Sequence, residues 1–268
     1  MEIISSPQNA RIKEVLKLYK TGVRKDKKLI IIDGEREILA AIAAGQEIVN
    51  VFFCPELMKS SKSTIGLLSD VGVNKGIEVS VAVFKKICYK DKPDGLLVLS
   101  RPRYKKLEEI DLTKQPLIVI LESVEKPGNL GAIIRTAYAA GVTAVIINDQ
   151  QTDIYNPNVI RASEGLIFSQ LVVLSSTSDT IAWLKKHKIK SLAAATSSKK
   201  NYTDVKLTGP TAIVLGSEAQ GLSQGWLTKA NLLIKIPMRP GIDSLNVSVA
   251  AAIVIFEALR QRAVDSKG

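Results

Sequence analysis

The second half of the chain is built from short, continuously apolar runs, each stopped by polar, glycine or proline residues: PLIVILES from Pro116, VTAVIIND from Val142, LAAAT (192–196), TAIVLGS (211–217) and LLIKIPM (232–238). A strand with one wet face alternates apolar and polar residues, whereas a strand covered on both faces reads as an unbroken apolar run. The second pattern belongs to parallel sheets sandwiched by helices. Helical period appears between the runs, near Gly131 to Ala140 with Gly141 as a stop. It returns in a long closing helix from about Ser244 to Ala263, where Val247, Ala250, Ala251, Val254 and Ala258 share one face. The expected architecture from Pro116 onward is therefore α/β with a parallel sheet.

The first part is a smaller α/β unit. Ile12, Val15, Leu16 and Tyr19 fall on one face of a helix over Asn9 to Tyr19, LIIID reads as a strand, Gly34 to Ala44 as a helix stopped by Gly45, and VNVFFC as a strand. Pro93, Asp94 and Gly95 turn the chain into another buried strand, LLVLS. The polar, unpatterned stretch from Ser100 to Gln115 is the expected linker between a domain at 1–105 and a domain at 116–268.

Charge bears on partners. The 268 residues carry a formal net charge of +11, with 19 basic and 12 acidic side chains up to residue 105 and 18 and 14 beyond it. Clustered cations bind polyanions by displacing counterions. Arg11, Lys13, Lys17, Lys20, Arg24, Lys25, Lys27 and Lys28 are accordingly candidates for contact with nucleic-acid phosphates, the alternative being a solvated helical face.

Residue counts exclude much chemistry. The single histidine, His187, lies in IAWLKKHKIK, so a histidine-rich zinc site cannot be built and no metal is expected. Cys54 and Cys88 show no paired spacing and read as buried free thiols. Neither a GxGxxG nor a GxxxxGK motif occurs, which removes the dinucleotide and P-loop fingerprints. The N-terminus lacks a basic start followed by an apolar run, and no stretch approaches the roughly 18 apolar residues of a membrane span. A cytoplasmic protein is expected.

Three segments remain, each where a buried strand runs into a loop and helix, the usual ligand edge of an open α/β sheet. The first, PGNLGAIIRTAYAAG from Pro127, has glycines suited to close backbone approach and sets Arg135 in an otherwise apolar helix, where it serves either a ligand or a salt bridge to Glu122 or Glu125. The second, IVLGSEAQGLS from Ile213, places Gly216, Glu218 and Gly221 after a strand; Glu218 could bind a ligand or cap the next turn. The third, IPMRPGIDSLNVSVAAAI from Ile236, decorates a helix start with Ser244, Asn246 and Ser248, more polar groups than a single cap requires.

In order and position, these segments resemble the three motifs of the SpoU/TrmH family of SPOUT methyltransferases. Asn129, Gly131, Arg135, Thr136 and Ala137 match the first motif; Gly216, Glu218, Gly221 and Leu222 the second; Pro237, Met238, Ser244, Leu245, Asn246, Val247 and Ser248 the third. Arg239 and Pro240 add a residue before Gly241. The N-terminal part looks like the substrate-binding domain of the ribosomal-RNA branch.

The resemblance implies a trefoil-knotted α/β domain, a homodimer in which the knot and C-terminal helix meet across a twofold axis, and methyl transfer from S-adenosylmethionine to a ribose 2′-hydroxyl of RNA, in the first instance ribosomal RNA. It implies cofactor contacts at Thr196, Leu215, Gly216, Ile236, Met238 and Leu245. Arg135 would be the central catalytic residue, with Asn129, Glu218, Ser244 and Asn246 orienting it, the ribose and the cofactor. The alternatives are a transfer-RNA 2′-O-methyltransferase and a non-catalytic RNA-binding protein of the same fold.

Overall fold

The computed structural model describes residues 3–58, 76–112 and 115–265. The described chain divides into two compact units, residues 1–103 with 153–169, and residues 104–152 with 170–268.

In the first unit, helices α1 (Ala10–Lys17), α2 (Thr21–Lys27), α3 (Glu35–Ala43) and α4 (Val81–Ile87) accompany strands β1 (Ile30–Asp33), β2 (Ile48–Phe53), β3 (Gly76–Glu78) and β4 (Leu96–Ser100). The sheet runs β1-β4-β2-β3, with β4 antiparallel to both neighbours and β3 parallel to β2. Asn9 caps α1 by accepting from the Arg11 N–H, and Ile12 and Val15 turn inward, as the helical period requires. They meet Phe52, Val83, Phe84, Ile87 and Leu97 in one apolar cluster.

Residues 153–169 belong to this unit although they lie within the expected second domain. Gly165 adopts φ +80°, and a Cβ there would come within 2.8 Å of the Ala40 Cβ. Asp153 receives Arg24 Nε at 2.9 Å and Nη2 at 2.6 Å. Arg24 also donates to the carbonyls of Leu18 and Tyr19 and is 2% exposed. Its assignment to RNA phosphates is thus corrected: every guanidinium nitrogen already has a partner inside the fold, and the side chain does not reach solvent.

In the second unit, strands β5 (Leu117–Glu122), β6 (Ala144–Asn148), β7 (Val172–Ser175), β8 (Lys190–Ala194), β9 (Thr211–Leu215) and β10 (Leu232–Ile234) form a sheet in the order β10-β8-β9-β5-β6-β7. Every pairing is parallel. β5, β6 and β9 are buried along their whole length, which is why they read as unbroken apolar runs. Helices α5 (Pro127–Ala139), α6 (Thr177–Lys186), α7 (Gln224–Lys229) and α8 (Val247–Asp265) complete the unit. α8 packs mainly on α5, burying Val247, Ala251, Val254, Ile255 and Ala258.

The stretch expected as a linker is structured over much of its length. Leu107 and Ile110 are buried in the core of the second unit with Ile118, Ile146 and Trp183, and Lys105 pairs with Val173. Residues 113 and 114 of that stretch lie outside the described residues. Three apolar side chains carry the reason: Leu107, Ile110 and Leu112 recur too irregularly to register as a periodic element, yet they fill space on one core. Among the described residues no helix is long and apolar enough to cross a membrane and no metal-binding cluster occurs.

Candidate active site

The sheet order reverses at β5: the chain adds β6 and β7 on one side, then β8 and β9 on the other. Such a reversal leaves a crevice beyond the C-terminal ends of the strands. A cavity of about 420 Å³ lies on one side of this reversal, beyond the ends of β8, β9 and β10, walled by residues 194–197, 215–222 and the third-motif segment from Lys235 to Ala250.

All six residues expected at the cofactor line this cavity: Thr196, Leu215, Gly216, Ile236, Met238 and Leu245. Gly216 is required by close packing. The segment turns back on itself, with reciprocal backbone bonds of 3.1 and 3.0 Å between Ser217 and Gly221, so a Cβ on Gly216 would lie 2.2 Å from the Gly221 backbone. Gly221 takes φ +66°, a left-handed conformation that glycine adopts without strain. Gly128 differs from expectation, because a Cβ there would meet nothing within 4 Å.

The size falls within the range of roughly 300 to 1,000 Å³ usual for small-molecule sites. Its aliphatic walls, Leu215, Ile236, Met238, Leu245 and Val247, alternate with loop backbone that offers amide and carbonyl groups. That combination fits an adenosyl ligand: apolar faces for the purine and polar backbone for its edges.

At one side of the cavity the three motifs meet. Asn129 Nδ2 and Asn246 Nδ2 each donate to Glu218 Oε1 at 2.7 Å, and Asn246 Nδ2 also donates to Asn129 Oδ1 at 3.2 Å. Lys126 Nζ lies 2.7 Å from Glu218 Oε2. The Lys126 ammonium is the main reason the Glu218 carboxyl sits below its ordinary range, against a smaller opposing effect of burial. Asn246 Oδ1 accepts from the Ser248 N–H and Oγ–H, so this residue also caps α8. An adjoining cavity of about 200 Å³ is lined by Val124, Glu125, Lys126, Asn129, Glu218, Ala219 and Val247.

The structure therefore brings Asn129, Glu218 and Asn246 together. Ser244 stands on the wall of the larger cavity, and Arg135 is exposed two turns along α5 from Asn129, lining neither cavity among the described residues. Glu122, one of the partners considered for Arg135, is committed elsewhere: it accepts from Thr177 Oγ1 at 2.8 Å and from the Ser223 N–H and Oγ–H at 2.7 Å. Lys126 escaped the sequence reading. Its signal was its place directly before the Pro127 that starts α5.

On α1 and α2, Arg11, Lys13, Lys17, Lys25 and Lys27 are exposed, as are Lys20 and Lys28 at the two ends of α2. Lys17 and Lys27 both ion-pair with Glu14 and hold its carboxyl down at about 2, which offsets part of their charge.

A parallel sheet with a cofactor-sized cavity beyond the C-terminal ends of β8, β9 and β10, and an amide–carboxylate network beside it, defines an α/β domain with a small-molecule site. The chain belongs to the SpoU rRNA Methylase family, whose model matches residues 116–256; residues 9–98 match the MRM3-like substrate binding domain. The 23S rRNA (guanosine-2′-O-)-methyltransferase RlmB of Photorhabdus laumondii is 31% identical over 245 residues, covering 90% of this chain and 97% of that protein. A crystal structure of an RNA 2′-O ribose methyltransferase is 37% identical with a TM-score of 0.83, covering 98% of this chain and all of the other. An AdoMet-bound rRNA methyltransferase from Sinorhizobium meliloti is 26% identical with a TM-score of 0.88, covering 97% of each chain.

Proposed function

We propose that this protein methylates a ribose 2′-hydroxyl of ribosomal RNA, with S-adenosylmethionine as donor. The observation that carries the reading is the meeting of Asn129, Glu218 and Asn246 beside a cavity lined by all six expected cofactor positions. Bound S-adenosylmethionine supplies a methyl group already activated by its sulfonium.

The task left to the protein is to hold the ribose oxygen in line and to support loss of its proton; alignment alone contributes as much as about 7 to 11 kcal/mol in favourable cases. Glu218 is an orienting group in this account. Its two oxygens already take two amides and an ammonium, and a carboxylate so held is a weak base. Arg135 is assigned to the RNA, its planar guanidinium clamping a phosphate or stabilising the developing alkoxide. Ser244 is assigned to the cofactor side of the site.

The first unit is assigned to substrate binding, with the exposed lysines of α1 and α2 on RNA phosphates. The domains are proposed at 1–105 and 116–268 in sequence, with 153–169 docked on the first. The reading also includes a trefoil knot, a cytoplasmic location and a homodimer. Val247, Val254 and Ala258 face the interior of the unit, so a partner would meet the exposed apolar residues instead: Tyr138 on α5 and Val249 and Phe256 on α8. Light scattering at twice the 29.1 kDa chain mass supports the dimer, and a value at the chain mass across micromolar concentrations refutes it.

Mass-spectrometric mapping of ribose methylation in RNA from cells with and without the protein tests the function. One ribosomal site that loses its 2′-O-methyl group is expected. Loss confined to transfer RNA would reassign the substrate.

A further inference from the structure

A second cavity, of about 280 Å³, opens at the opposite edge of the parallel sheet. Lys190 begins β8 and contributes to this cavity, while Ala194 ends β8 and contributes to the cofactor cavity. At roughly 3.3 Å per strand residue the two lie about 13 Å apart along the strand. Four lysines line the second cavity, Lys185, Lys188, Lys190 and Lys229, and no carboxylate does. All four are exposed, and none forms an ion pair with a carboxylate among the described residues.

Helix ends account for part of this charge. Lys185 lies in the last turn of α6 and Lys229 in that of α7, where cations complement the helix dipole. Lys188 and Lys190 lie beyond the helix end. Lys188 moreover adopts φ +55°, at the position after a helix where glycine is usual, so a charged side chain is kept where the backbone favours none. Behind the lysines the cavity is backed by apolar side chains that are themselves buried, Ile181, Leu184, Ile189 and Trp226. Asn231 adds an amide whose oxygen is already engaged by the Ser191 N–H and Oγ–H at 2.8 and 3.0 Å, which leaves its Nδ2–H groups as donors.

We infer that this cavity is a second RNA-binding site, taking the phosphodiester backbone of the substrate on Lys185, Lys188, Lys190 and Lys229 at the edge of the sheet remote from methyl transfer. The inference rests on the proposal that RNA is the substrate. Four exposed ammonium groups gathered around one concavity without a carboxylate fit the successive phosphates of a nucleotide strand.

The test uses the full chain with Lys188→Glu, Lys190→Glu and Lys229→Glu combined, a fluorescent ribosomal RNA fragment followed by anisotropy over a salt series, and S-adenosylmethionine affinity followed by calorimetry. RNA affinity should fall at least tenfold at low salt, and the slope of log affinity against log salt should drop by about 0.7 to 0.9 per lost contact. Cofactor affinity should stay unchanged, reporting an intact fold, and the corresponding triple Lys→Arg variant should bind RNA as the wild type does. RNA affinity within twofold of wild type at an unchanged slope would overturn the inference. So would saturable binding of inorganic phosphate that the triple variant loses while its RNA affinity stays the same. If the wild type binds RNA through these lysines but transfers no methyl group, the methyltransferase reading fails and the RNA site stands.

Discussion

Asn246 and Glu218 are joined by a 2.7 Å hydrogen bond from the amide Nδ2 to carboxylate Oε1, and the same oxygen accepts the Asn129 amide. This carboxylate ties the third motif to the first. Hydrogen bonds to charged groups contribute about 1.5 to 3 kcal/mol each. Glu218→Ala should therefore lower kcat/KM roughly thirtyfold or more, as steady-state methyl transfer will show. Asn246→Ala should do the same and additionally lower the Tm, because it removes the cap of α8, worth about 1 kcal/mol.

The Lys126–Glu218 pair fixes a pH dependence. The folded Glu218 carboxyl sits below its ordinary value, with Lys126 as the main cause, so its contribution is fully present above the unfolded value and is lost as pH falls through the lowered one. The stability that the pair contributes should be intact from neutral pH down to the ordinary carboxylate value and decline as pH falls from there through the lowered one. In Lys126→Met this acid-dependent loss should be smaller, which calorimetry over a pH series will detect.

Gly216→Ala places a methyl group 2.2 Å from the Gly221 backbone, where no flexible side chain can yield. Forced backbone shifts typically cost about 1 to 3 kcal/mol. S-adenosylmethionine affinity should fall about tenfold or more. Gly128→Ala, with open space around it, is the matched control and should bind as the wild type does.

Arg24→Ala should destabilise the first unit by about 3 to 5 kcal/mol, because it strands the Asp153 carboxylate in a buried position. Denaturant unfolding measures this. Lys25→Ala, one residue away and exposed, should leave stability unchanged to within about 0.5 kcal/mol.

These contrasts mark what a sequence can reveal. The second sheet was legible because β5, β6 and β9 are buried on both faces, and burial of that kind leaves an unbroken apolar run. The proposed cofactor positions rest on family resemblance, since nothing in the period of a strand sets Thr196 and Ile236 on one cavity. Arg24 was misread because a cation inside a basic run looks exposed when its partner, Asp153, lies 129 residues away. The docking of 153–169 was hidden for the same reason: it depends on the fit of Gly165 against Ala40, a contact without local pattern.

The central claim, that the chain methylates RNA with Arg135 acting on the substrate, is tested most directly by one paired measurement. Purified wild type and Arg135→Ala are each incubated with unmodified ribosomal RNA and labelled S-adenosylmethionine, and transfer to ribose oxygen is quantified beside cofactor affinity. The account predicts transfer by the wild type, none by Arg135→Ala or Arg135→Lys, and cofactor affinities within a few-fold of one another, since a point charge does not reproduce a planar guanidinium fork. Unchanged turnover in Arg135→Ala, or no ribose methylation by the wild type, would contradict it.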